Sequence, residues 1–176
     1  MASRGIQALT VRGTYDIGAL NSLKVDTITN GALIEEANGI SNYTMVELGF
    51  NAEGERICKQ ITAKDKKTYL IASVERRLET EELVDFYNGN GDRGRIVIPR
   101  NGLRFQSSAY SLNAGVTEIV NGLVAHFDPT TKKYIISASA TAHIDYAGSN
   151  VKLLVVSDDL DLEYTAGKTL VRFEVQ

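Results

Sequence analysis

Proline, histidine and cysteine are scarce in this 176-residue chain, at two, two and one residues. With Cys58 alone, no intrachain disulfide can form, so packing must hold the fold together, as suits a protein made in a reducing cytoplasm. No apolar run approaches the ~20 residues that cross a bilayer. The opening MASRGIQALTVRGTYD lacks the apolar stretch of a secretion leader. The expectation is a soluble protein made in the cytoplasm, with no membrane contact, for which the Asn42-Tyr43-Thr44 sequon is chance. The net charge of −3 gives no general reason to bind nucleic acid. Catalytic signatures are missing too. There is no Gly-x-Ser-x-Gly elbow, and Cys58 has no histidine near it in sequence. His143 and Asp145 read as sharing one face of a strand and could seed a metal site. No third ligand stands at a recognisable spacing, so the expectation is no metal, no cofactor and no enzyme. SDDLDLE places Asp159, Asp161 and Glu163 at alternate positions without the glycine and closing glutamate of a calcium loop, and reads as a solvated acidic turn.

What the sequence does have is turns. Asn-Gly occurs at Asn30-Gly31, Asn38-Gly39, Asn88-Gly89, Asn90-Gly91, Asn101-Gly102 and Asn121-Gly122. Both residues tolerate positive φ, which suits tight hairpins between short strands. Leu23, Val25 and Thr27 alternate like an edge strand. Met45–Phe50 is short and apolar, and ERICKQIT and KTYLIASV read as a hairpin around AKDKK. Cys58 there packs as a small hydrophobe. TEELVDFYN predicts one helix over about 80–88, capped by Thr80, with Leu83, Phe86 and Tyr87 on one stripe and Asn88-Gly89 ending it. RIVIP comes next, as a strand. GLVAHFDPTTKKYIIS reads as a hairpin with an Asp-Pro turn, VKLLVVS as a buried central strand, and KTLVRFEVQ as a half-buried strand exposing Arg172 and Glu174. The expected fold is α+β, predominantly antiparallel β with one short helix. It divides into an extended arm (1–16), an α+β domain (17–112) and a sandwich- or barrel-like C-terminal β module (113–176).

GNGDRG, residues 89–94, matches the glycine pattern of a dinucleotide loop. That loop needs a strand, then the glycines, then a helix whose N-terminus faces the pyrophosphate. Here the order is helix, glycines, strand, and no acid falls between Gln106 and Ala114. These glycines turn the chain. The same region holds four arginines in twelve residues, Arg93, Arg95, Arg100 and Arg104, which could form a positive strip for carboxylates on a protein partner. Aromatic residues do not interleave with them as stacking on bases would require.

The segment Tyr69 to Tyr110 resembles structural proteins of tailed-bacteriophage virions through ERR, EELVDFYN, GDRGRIVI and GLRFQSSAY. The likeness covers about a quarter of the chain, and its motifs describe scaffold. It implies a capsid decoration, or cement, protein on the outside of the head, with the major capsid protein as partner and self-association possible. Residues 17–112 would then be the capsid-docking part. Arg4, Arg12 and Tyr15 on the arm, with Arg93, Arg95, Arg100 and Arg104, are the expected partner-binding residues. The alternative is a tail, baseplate or head-fibre component whose C-terminal module binds a receptor or glycan through Tyr134, Tyr146 and Tyr164.

Overall fold

The computed structural model describes residues 15–75, 83–156 and 168–176. Almost all of the regular structure in them is β, arranged as two sheets.

The smaller sheet is built from short, largely aliphatic runs: β2 (Ala32–Ile34), β3 (Met45–Phe50), β4 (Arg56–Gln60), β5 (Tyr69–Ile71), β6 (Arg93–Gly94) and β7 (Ile96–Val97). Its order is β6-β2-β4-β3-β5-β7, antiparallel apart from β2 and β4. The two ends of that order are one chain segment, interrupted only at Arg95. The sheet therefore curls until residues 93–97 join both edges, with β6 on β2 and β7 on β5. This near-closure leaves little edge for another strand to pair with. Inside sit Ala32, Ile34, Ile40, Val46, Cys58, Ile71 and Ile96, all essentially inaccessible to solvent. Burial, helped by the charge of Glu36, pushes the Cys58 thiol up to about 12. It is inert packing, as expected.

The glycines of GNGDRG do separate jobs. Gly91 takes φ +84° in a turn. Gly94 faces the barrel interior, where an added Cβ would stand 3.0 Å from the Cδ1 atoms of both Ile34 and Ile71. The amide of Gly89 donates to the Asp92 carboxylate (3.0 Å), closing the loop on itself. The chain then enters a strand, and no helix N-terminus stands there for a phosphate.

The larger sheet contains β1 (Gly18–Leu20), β8 (Arg104–Ser107), β9 (Tyr110–Leu112), β10 (Val124–Asp128), β11 (Lys133–Ser137), β12 (Leu153–Val155) and β13 (Val171–Val175). The order is β1-β8-β13-β12-β10-β11-β9, with only β9 and β11 parallel. Aromatic rings stand at the centre of its largely aliphatic core. Tyr134 lies 4.8 Å from Phe173, 5.0 Å from Phe127 and 5.6 Å from Phe105, ring centre to ring centre. Tyr43, Met45 and Leu70 from around the barrel complete the same cluster. The Tyr134 hydroxyl donates to the Tyr43 carbonyl (3.0 Å), and burial raises its pKa well above the usual phenol. The expected division at residue 112 therefore does not follow the strands. One sheet and one core draw on both sides of it.

The β-rich class, the β10–β11 hairpin and the central position of β12 agree with the sequence reading. Several local expectations do not. Strands β4 and β5 do not pair with each other, because β3 lies between them. Of Leu23, Val25 and Thr27, only Thr27 makes a bridge, to Val97, and Leu23 is fully exposed. Arg172 is buried rather than displayed. Thr80–Glu82 lie outside the described residues, and Leu83–Asp85 form a single 3-10 turn. The helix does not reach residue 88, because the Asn88 amide and carbonyl both pair with Ile40 (2.9 Å each). Five of the six Asn-Gly glycines do adopt positive φ. Yet the hairpins β3–β4 and β10–β11 close through other residues, Gly54 and Lys132 supplying the positive φ. Asn101-Gly102 instead turns the chain from one sheet to the other.

Candidate functional site

The four arginines do not form one strip. Arg93 pairs with Glu55 and donates to the Asn30 carbonyl (3.3 Å). Arg100 pairs with Asp26 at 2.5 Å, and Arg104 with Glu174 at 2.6 Å, directly across strands β8 and β13. Three guanidinium groups are thus engaged within the molecule. Such exposed pairs contribute little to stability, of order 0–1 kcal/mol, but they lower the charge available to a partner. Arg95 differs, because its side chain is exposed and no carboxylate pairs with it among the described residues.

Arg95 occupies the barrel seam for a backbone reason. Its carbonyl accepts from Ala72 (3.0 Å) and its amide donates to the Ser73 hydroxyl (3.0 Å), so the side chain must point outward. There it borders a groove of about 560 Å³ with Ser73, Val74, Phe86, Tyr87 and Asp92. Val74 is 71% exposed. The groove floor is fixed by buried amides. Asn42 donates to the Ser73 carbonyl and accepts from its amide (2.9 Å each), while Asn88 donates to the Ile40 carbonyl (3.2 Å).

Arg4 and Arg12 lie outside the described residues. Tyr15 is docked against its own chain. It stacks on Tyr87 with centroids 4.3 Å apart and donates to the Asn38 carbonyl (3.2 Å), and Lys168 bonds to its carbonyl. Burial raises its pKa. Of the three tyrosines expected to meet a receptor, Tyr134 is the centre of the core, Tyr146 is half-buried, and Tyr164 lies outside the described residues. So do Asp159, Asp161 and Glu163.

A second cluster joins residues that sequence spacing kept apart. His126 sits in the middle of β10, opposite Ile135. His143 and Asp145 come not from a strand but from the turns just after a 3-10 helix at Ser139–Thr141. One ligand atom from each of the three lies within 4.8 Å of the others. The imidazoles have centroids 5.1 Å apart, with planes inclined by 25°. Nδ1 of His143 accepts from the Asp145 amide (3.3 Å) and stands 3.7 Å from the carboxylate oxygen Oδ2. The other carboxylate oxygen pairs with Lys64, and that ammonium holds the Asp145 pKa below the ordinary value. His126 is 1% exposed and neither ring nitrogen has a hydrogen-bond partner. Burial, reinforced by His143, pushes its pKa down, leaving a neutral ring with a free lone pair.

His126 is the third candidate ligand that spacing could not supply, since it lies 17 residues before His143. The only sequence signal was histidine scarcity: both histidines of the chain meet here.

The model of the YonC prophage protein family matches residues 11–176. The chain is also similar to the SPbeta prophage-derived uncharacterized protein YonC of Bacillus subtilis (strain 168). The two are 50% identical over 176 residues, covering 99% of this chain and 98% of the relative.

Proposed function

The chain belongs to the YonC prophage protein family, and from that premise we propose that it is a non-enzymatic capsid decoration protein. It binds the outside of the assembled phage head and stabilises it by bridging major capsid protein subunits. Phage descent is common to this reading and to the resemblance carried by Tyr69–Tyr110. The head as its location is the proposed step.

The observation that carries it is the groove at the barrel seam. A guanidinium without a carboxylate partner among the described residues, that of Arg95, stands beside an exposed aliphatic residue, Val74. Behind them the backbone of Ser73 is held by the buried Asn42 amide, which both donates to it and accepts from it. Arg beside apolar surface suits a protein contact rich in carboxylates. A standard interface buries about 1,600 Å². Repetition over a lattice lets modest affinity per copy stabilise a shell.

Phage heads purified with and without bound chain provide the test. The expected result is that the chain co-purifies with heads, saturates added expanded heads at a fixed ratio to major capsid protein, and binds at least about 10-fold more weakly as Arg95→Glu. Recovery only in tails, or absence from particles altogether, overturns the reading.

A further inference from the structure

We propose that His126, His143 and Asp145 form a binding site for a divalent transition ion of zinc's class, which clips the turns after residue 138 onto strand β10. This is independent of where the protein acts in a phage.

The donor set comes first. Two imidazoles and one carboxylate are the ligands that zinc and its late first-row neighbours take, whereas magnesium and calcium prefer oxygen throughout. The spacing is next. With bonds of about 2.0–2.2 Å, two donors on one tetrahedral zinc stand about 3.4 Å apart. Nδ1 of His143 and Oδ2 of Asp145 are already 3.7 Å apart, and an ion there would displace the Asp145 amide, which donates to that Nδ1 lone pair at 3.3 Å. Two imidazoles on one such ion have centroids about 5 Å apart, and those of His126 and His143 are separated by 5.1 Å. The widest donor separation, at most 4.8 Å, needs to close by no more than about 1.4 Å.

The third support is the state of His126. A buried imidazole with both nitrogens unpartnered costs free energy unless something fills the vacancy, and a buried polar atom of this kind calls for an ion or a water. The ring projects from the middle of a paired strand and is almost wholly shielded from solvent where it stands. Around the three donors stands a supporting shell. Lys64 holds one carboxylate oxygen of Asp145 and turns the other toward His143. Tyr146 closes one side, its ring edge-on to His126 with centroids 6.4 Å apart. Outer partners of this sort orient ligands and tune affinity. Three protein ligands leave a fourth position for water.

The consequence is structural. Residues 138–150 contain no strand, and they bond to the loop before β5 through the Asn150 amide and the Lys64 carbonyl (2.8 Å). An ion shared by β10 and this segment would stabilise the folded state by binding it in preference to the unfolded chain.

The test uses untagged, chelator-stripped full-length protein and Zn²⁺ alone, by calorimetry and thermal unfolding, with Mg²⁺ as control. The expected result is one zinc per chain, a raised unfolding midpoint, and binding at least about 100-fold weaker in both His143→Ala and Asp145→Asn. These side chains are 34% and 38% exposed, so both variants can fold. No saturable zinc binding to the wild type would overturn the proposal, leaving a buried water on His126. So would wild-type affinity in both variants, or a response to Mg²⁺ matching that to Zn²⁺. Should a variant fail to fold, Co²⁺ titration of the wild type decides. The visible absorption of four-coordinate cobalt supports the site, and a purely six-coordinate spectrum rejects it.

Discussion

The barrel and the seven-stranded sheet solve the same problem, burying one face of short strands, with opposite materials. The barrel interior is aliphatic and tight. An added Cβ at position 94 would stand 3.0 Å from the Cδ1 atoms of both Ile34 and Ile71, so those side chains would have to give way. The larger sheet has room to spare and fills it with Phe105, Phe127, Tyr134 and Phe173. Closure limits volume, so among the described residues the buried barrel interior holds no aromatic ring, whereas the larger sheet packs rings among its aliphatic side chains. The two are not independent bodies, because Tyr43, Met45 and Leu70 lend their side chains to the aromatic cluster.

Three substitutions probe that difference. Tyr134→Ala should have the largest effect, about 3–5 kcal/mol by urea unfolding, because it empties the centre of the shared core and removes the hydroxyl that donates to the Tyr43 carbonyl. Probes in both sheets should report a single transition. Separate transitions would show that the shared cluster does not couple them. Gly94→Val should cost about 1–3 kcal/mol through overpacking, with hydrogen exchange accelerated most in the barrel. Loss confined to the larger sheet would contradict the interior placement of Gly94.

The smallest effect concerns Glu47 on β3. Partial burial pushes its pKa up, but hydrogen bonds from Lys66 and from the Thr62 amide and hydroxyl outweigh that and hold it below the usual carboxylate value. A depressed folded pKa stabilises at pH above the unfolded value, and that stabilisation is lost as the pH falls through the folded one. Glu47→Gln should therefore cost under about 1 kcal/mol at neutral pH, and the gap from wild type should close as the pH falls below the ordinary carboxylate range. A gap that persists in acid would mean that Glu47 acts through packing, not charge.

Strand existence was legible wherever the pattern is local. Lys133–Ser137 returns on Val124–Asp128 because Asp128 itself builds the turn, accepting from the Thr130 and Thr131 amides at 3.0 and 3.1 Å. The Asn-Gly pairs were legible as turns but not as to what they connect, since positive φ fixes a bend and says nothing of its destination. The helix over 80–88 failed at Asn88 because a bridge to Ile40, 48 residues away, outcompeted a local cap. The arginine strip failed for the same reason. Glu55, Asp26 and Glu174 reach three of the four from 38, 74 and 70 residues away.

By itself the sequence determined the β-rich class, the lack of an intrachain disulfide, the packing role of Cys58 and the hairpin of β10 and β11. Each of these depends on residue types and their near neighbours. Only the tertiary structure decided that residues 93–97 join both edges of a barrel, that one core crosses residue 112, and that His126 meets His143 and Asp145. The physical reason is that strand period and turn preference act over a few residues. Pairing, closure and convergence are chosen by which distant surfaces bury each other best.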